Sequence, residues 1–309
     1  MPNTFNTEAW INEPLLAHRP RCACPLHARR LFTGALLAGG AAALAGPAQA
    51  QDGVQGEVGK ESRFTKLVSA EQVETAAAQQ YAQMLREAAQ QRALAPAEHP
   101  QVQRLRSIAQ RIIPFSPPWN GRAKQWRWEV NLIGSKQINA FCMPGGKIAF
   151  YSGILSTLQL SDDEVATIMG HEVAHALREH ARERMGKSAA TRLGAGLLSG
   201  LLGLGNAGDM ALSMGGQLLS LQFSRDDESE ADIVGMDLAA RAGHDPRAGI
   251  SLWQKMMQAS KGAPPEFLST HPSGASRIAD IEAKLPKVMP LFAQAPRPPR
   301  NFGPPARGG

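Results

Sequence analysis

Asp162-Asp163-Glu164-Val165-Ala166-Thr167-Ile168-Met169-Gly170-His171-Glu172-Val173-Ala174-His175-Ala176-Leu177 has the spacing of a helix with chemistry on one side. Val165, Ile168, Met169, Val173, Ala176 and Leu177 give it a buried side. Asp162 and Asp163 open it, and a helix is expected from there to about Lys187. His171 and His175 stand at i and i+4, one turn apart on the same face. Both imidazoles can then reach one ion at about 2.0–2.1 Å. Glu172 points to the neighbouring flank, within reach of a metal-bound water. The competing reading is two ordinary helix-surface histidines, and five residues alone do not separate the two.

The spacing is the His-Glu-x-x-His pattern of zinc metallopeptidases. A catalytic zinc takes three protein ligands and keeps one position open, so a third ligand is needed. His180 lies five residues after His175, which turns it off the ligand face of a continuous helix, and it is assigned a structural or surface role. The better candidate lies in Ser224-Arg225-Asp226-Asp227-Glu228-Ser229-Glu230-Ala231-Asp232. Glu228 can supply the third ligand. Asp232, one turn on, can accept the N–H of a ligating histidine, His171 by preference, and so set its tautomer. An acidic helix start accounts for Asp226 and Asp227 through the helix dipole. It does not account for Asp232 lying among Ala231, Ile233 and Val234.

Outward from these motifs, Ser69–Leu94 reads as a helix with Ser69 as its cap. Gln101–Ile113 reads as a second, with Val102, Leu105, Ile108, Ala109 and Ile112 on one face. Trp126, Trp128, Val130 and Leu132 alternate with polar residues, the period of a half-buried strand. Ile138–Met143 and Lys147–Tyr151 read as two more strands around the turn Pro144-Gly145-Gly146. The chain then turns helical. The expected class is α+β, mainly α, with a small sheet.

Both ends differ from this middle. Arg29 and Arg30 precede Leu31–Gln51, which carries no charge, and Ala48-Gln49-Ala50 supplies the small residues of a cleavage site. Residues 1–50 are therefore expected to be a twin-arginine-like signal peptide, with an uncleaved anchor as the alternative. Residues 51–68 read as a flexible tether, 69–285 as the catalytic domain, and 286–309, with seven prolines, as a disordered tail. Residues 193–224 contain one charge and eight glycines. Leu193–Leu204 would span about 18 Å as a helix, short of the roughly 30 Å of a bilayer core. Burial against the catalytic helices is the first reading there, and peripheral membrane contact the second.

Across 309 residues, 43% hydrophobic content excludes a wholly disordered chain, and 19% charge without heptads excludes a long coiled coil. The net charge of +6 is dispersed, without a basic block interleaved with aromatics, so no nucleic-acid partner is expected. Of the three cysteines only Cys142 follows the signal-like segment, so no internal disulfide is expected.

Four separated pieces make the chain resemble the HtpX-like family of zinc metallopeptidases, which includes the CAAX prenyl endopeptidases. They are Asn139-Ala140-Phe141 with Pro144-Gly145-Gly146; His171 to His175; Ser224-Arg225 through Asp232; and Ser269-Thr270-His271-Pro272 with Arg277-Ile278. The soluble bacterial envelope branch, the type of BepA, LoiP and YcaL, fits best. The resemblance implies a zincin-like, gluzincin core that holds one Zn2+ per chain through His171, His175 and Glu228, with Glu172 as general base. It implies that Asn139, Ala140 and Phe141 belong to an active-site edge strand, although an ordinary hairpin would look the same. It places His271 near the metal, as a self-inhibitory fourth ligand, as a donor to the oxyanion, or in a plain capping loop. Arg277 can pair with an active-site carboxylate. The implied function is endopeptidase action on misfolded or misassembled envelope polypeptides in the periplasm. A metal-containing chaperone or assembly factor with a latched site is the alternative.

Overall fold

Two helices, α1 (Ala70–Gln90) and α2 (Pro100–Ile112), lead into three strands, β1 (Glu129–Ile133), β2 (Ala140–Met143) and β3 (Lys147–Tyr151). Seven helices follow: α3 (Ser152–Leu158), α4 (Asp162–Leu177), α5 (His180–Ala195), α6 (Arg225–Arg241), α7 (Ala248–Ala259), α8 (Glu266–Thr270) and α9 (Ser276–Gln294). The structure is a computed structural model that describes residues 53–195, 218, 222–260, 265–271 and 276–306. The signal-like segment 1–50 and most of the apolar stretch 193–224 lie outside the described residues. Among the described residues no helix is long and apolar enough to cross a membrane. The architecture is α+β and mainly helical, a zincin-like core.

Ser69 caps α1 by accepting from the Gln72 N–H at 3.3 Å. α2 buries Val102, Leu105, Ile108, Ala109 and Ile112, the face its periodicity marks, and packs on α4. The sheet order is β1-β3-β2, with β1 parallel and β2 antiparallel to β3. Gly145 and Gly146 adopt φ of 83° and 76°, backbone that favours glycine, and so close the β2–β3 hairpin. β2 thus lies at the edge of the sheet, packed against α4. β1 starts at Glu129 rather than Trp126, because its partner β3 begins at Lys147, which pairs with Glu129.

Three expectations are corrected. The helix carrying His171 and His175 ends at Leu177 instead of Lys187, because Glu179 takes φ +56° and the chain restarts as α5. The stretch 53–68 is a packed strap rather than a tether: Val54 is fully buried and its N–H donates to Asp237 on α6. The disordered tail does not begin at Pro286, since α9 runs through Pro286 and Pro290 to Gln294. Each proline costs about 3 kcal/mol inside a helix. Burying Ile281, Val288, Leu291 and Phe292 at about 1.5–3 kcal/mol each is large enough to offset that. Beyond the helix, the Phe302 N–H donates to Asp162 at 2.6 Å, which ties the chain end to the start of α4.

What positions the site is the crossing of α4 and α6. Gly170 and Gly235 face each other there. A Cβ on Gly170 would lie 2.6 Å from the Gly235 carbonyl oxygen, and one on Gly235 would lie 2.6 Å from the His171 nitrogen. Only two glycines allow backbones this close, and the approach brings the first two turns of α6 against His171 and His175.

Candidate metal centre

α4 is fixed at its start by a capping box. The Ser161 side chain accepts from the Glu164 N–H, and the Glu164 carboxylate accepts from the Ser161 N–H. α6 starts in the same way, with Ser224 and Asp227 as the reciprocal pair. With both starts fixed and the glycine pair setting the crossing, His171, His175 and Glu228 point into one buried pocket, each less than 5% exposed.

The donor atoms converge. His171 Nε2 and His175 Nε2 are 3.0 Å apart. Glu228 Oε2 lies 3.5 Å from His171 Nε2, and Glu228 Oε1 lies 3.4 Å from His175 Nε2. Tetrahedral bonds of about 2.0–2.1 Å would separate such donors by about 3.3–3.4 Å. His271 joins them, and one ligand atom from each of His171, His175, Glu228 and His271 falls within 4.8 Å of all the others. Glu228 Oε1, Glu172 Oε1 and His271 Nε2 are buried without a hydrogen-bond partner among the described residues. Buried polar atoms are nearly always paired, so inward-facing acceptors of this kind fit a cation. Two imidazoles and a carboxylate suit zinc chemically.

The tautomers agree with that fit. Asp232 Oδ1 lies 2.9 Å from His171 Nδ1; a carboxylate only accepts, so Nδ1 carries the proton and Nε2 the lone pair. His271 Nδ1 lies 2.9 Å from the Thr270 hydroxyl and 3.2 Å from the Phe267 carbonyl, and its Nε2 faces the pocket, 3.5 Å from Glu172 Oε1. Burial holds all three imidazoles below their usual pKa, His175 and His271 far below it, so they remain neutral, the ligating form. Burial pushes Glu228 up to about 8, with Arg277 pulling against it. Burial, then the Glu228 charge, pushes Glu172 well above the usual range. For Asp232 burial acts upward, but Arg277 and His171 outweigh it and hold the carboxyl low.

Arg277 joins the acidic groups. Its Nη1 donates to Glu228 at 2.6 Å and its Nε to Asp232 at 2.7 Å, while the guanidinium lies 3.8 Å over the Trp253 ring. The structure thus brings His171, Glu172, His175, Glu228, Asp232, His271 and Arg277 together. Asn139, Ala140 and Phe141 are outside that cluster, at the start of the edge strand, where Asn139 precedes β2 and Ala140 pairs with Phe150; the next residue, Cys142, meets Glu172 through its backbone. The Phe267 N–H, four residues before His271, donates to the Ile138 carbonyl at 3.1 Å, so α8 lies against the entry to that strand.

Sequence reasoning missed several neighbours. Phe223 stacks on His175 at 4.0 Å, and Phe267 stacks on His271 at 4.5 Å. His180, read as structural or surface, is buried against His175, the structural alternative, but its contact with the ligand histidine was not foreseen. Phe223 directly precedes the Ser224 cap, and no spacing rule marks it as a wall of the pocket.

A His-Glu-x-x-His helix facing a glutamate and a carboxylate-held imidazole defines a metallopeptidase. The chain belongs to Peptidase family M48, whose model matches residues 100–285. It is 40% identical over 150 residues to the mitochondrial metalloendopeptidase OMA1 of Arabidopsis thaliana, covering 48% of this chain and 30% of that protein. The Schizosaccharomyces pombe protein of the same name is 34% identical over 197 residues, covering 63% of this chain and 56% of its own length. The beta-barrel assembly-enhancing protease of Escherichia coli is 32% identical over 176 residues, 53% of this chain and 36% of that protein. The chain therefore spans less than two thirds of the length of each of these relatives.

Proposed function

We propose that this chain is a zinc-dependent endopeptidase of the bacterial cell envelope that hydrolyses misfolded or misassembled polypeptides. The observation that carries the reading is the buried convergence of His171 Nε2, His175 Nε2 and the Glu228 carboxylate, with Glu172 Oε1 unpaired beside them. Zinc, when bound, polarises the scissile carbonyl and acidifies water. His171, His175 and Glu228 would hold it. Glu172 takes the proton from the attacking water and passes it to the leaving amine. Its burial makes it a stronger base than an exposed carboxylate. β2, at the sheet edge, offers backbone groups with which an extended peptide can pair, so Asn139, Ala140 and Phe141 would align the substrate.

The envelope branch is supported by the E. coli relative named for β-barrel assembly, and twin-arginine export by the signal-like residues 1–50 alone. The deciding measurement is zinc content together with casein hydrolysis on the purified chain. About one zinc per chain is expected, with hydrolysis lost to a chelator and restored by zinc. A metal-free chain that still cleaves, or one unable to bind zinc, would sink the reading.

Of the roles open to His271, the geometry favours the latch. Its Nε2 is buried, has no hydrogen-bond partner among the described residues and falls in one donor cluster with His171, His175 and Glu228, the place of a fourth ligand. His271→Ala is expected to keep zinc and to raise casein hydrolysis several-fold. A fall at unchanged zinc content would assign His271 to oxyanion stabilisation.

A further inference from the structure

Among the described residues no carboxylate meets His175 Nδ1. Asp232 serves His171, whereas His175 Nδ1 faces His180 Nδ1 at 2.9 Å. His180 Nε2 in turn lies 2.8 Å from Glu230 Oε2. The other Glu230 oxygen accepts from Arg178 Nε at 2.9 Å, and Arg178 also donates to the Gly59 carbonyl at 2.6 Å. Glu230 sits on α6 midway between Glu228 and Asp232, so one short stretch of that helix touches both imidazoles of the motif.

The proton positions follow in order. A carboxylate only accepts, so His180 carries a proton on Nε2, and in the neutral ring its Nδ1 then bears a lone pair. That lone pair can only accept, so His175 must carry its proton on Nδ1. His175 Nε2 is then bare and faces His171 Nε2 and Glu228. We propose that His180 and Glu230 form a positioning relay that sets the tautomer and ring angle of His175 for metal binding, with Glu230 acting one imidazole removed. The proposal rests on the metal-site reading above.

The backbone is bent to serve this contact. Five residues along an unbroken helix lie about 140° apart around the axis, which would turn His180 away from His175. Instead α4 stops at Leu177, and Glu179 adopts φ +56°, a left-handed conformation costly for a residue other than glycine. Arg122 and Arg182 hold the Glu179 carboxylate at 2.6 and 2.5 Å and keep the kink in place. Phe223 stacks on His175, centroids 4.0 Å apart, and lies tilted beside His180 at 6.3 Å.

The test compares zinc affinity, by chelator competition, for the full-length chain and its His180→Asn, His180→Leu and Glu230→Gln variants, with metal-free melting curves alongside. Asparagine keeps an acceptor near the Nδ1 position and should stay within a few-fold of the parent. Leucine keeps bulk without an acceptor and should weaken zinc about 10–100-fold, the usual cost of losing an outer partner. Glu230→Gln should fall between them. Leucine within twofold of the parent would overturn the relay, and so would equal losses for Asn and Leu with matching metal-free melts, which indicate packing alone. Should the Leu variant not fold, an unchanged zinc affinity in Glu230→Gln overturns the relay and a loss supports it. Ring nitrogen-15 spectra of the parent decide independently of metal: His180 protonated on Nε2 alone supports the relay, and a proton on its Nδ1 refutes it. If the parent binds no zinc, the metal reading fails, and this spectrum still judges the relay.

Discussion

Glu172→Gln is expected to lower casein hydrolysis by about a thousand-fold or more while zinc content stays at the parent level. The magnitude is that of removing a positioned general base, about 10²–10⁴-fold. Glutamine matches the volume of the side chain, so α4 and its packing are preserved. Glu172 is outside the donor cluster of His171, His175, Glu228 and His271, so the metal has no reason to leave. What disappears is the group whose buried carboxylate is pushed well above its usual pKa and whose Oε1 faces the pocket unpaired. Zinc analysis and hydrolysis on one preparation check this. Residual activity at a tenth of the parent would assign the proton transfer elsewhere.

Glu228→Ala is expected to strip the metal, with zinc affinity down by at least the roughly 100-fold that loss of an outer partner can cost. Two effects coincide. The carboxylate that spans His171 and His175 at 3.5 and 3.4 Å is gone. Arg277 keeps Asp232 but loses the buried partner held at 2.6 Å. Breaking a buried ion pair costs about 3–5 kcal/mol, so the melting temperature should fall as well. The contrast with His271→Ala is decisive, because both residues lie in the same four-member cluster. If His271→Ala loses zinc and Glu228→Ala retains it, the third ligand is the histidine, and the latch reading fails with it.

Much of the site was legible because each part is local. His171 and His175 share a face through helix period alone. Glu228 and Asp232 repeat that spacing on a second helix, and the apolar neighbours of Asp232 set it apart from an ordinary acidic helix start. The strands and the Gly145-Gly146 turn were readable from alternation and from backbone that favours glycine. The prolines at 286 and 290 misled, because their local cost is visible in sequence and the burial of Val288, Leu291 and Phe292 that offsets it is not. The strap at 53–68 was missed for a similar reason: its partner, Asp237, lies more than 180 residues away.

By itself the sequence determined the candidate ligands and their helical spacing, the candidate base, the mainly helical class and the Gly145-Gly146 turn. Those properties depend on residues a few positions apart. Only the tertiary structure decided that Gly170 meets Gly235, that Arg277 bridges Glu228 and Asp232, that His271 turns its Nε2 inward, and that a left-handed Glu179 returns His180 to His175. Each of these depends on groups distant in sequence or on a kink held by them, and helix period says nothing about either.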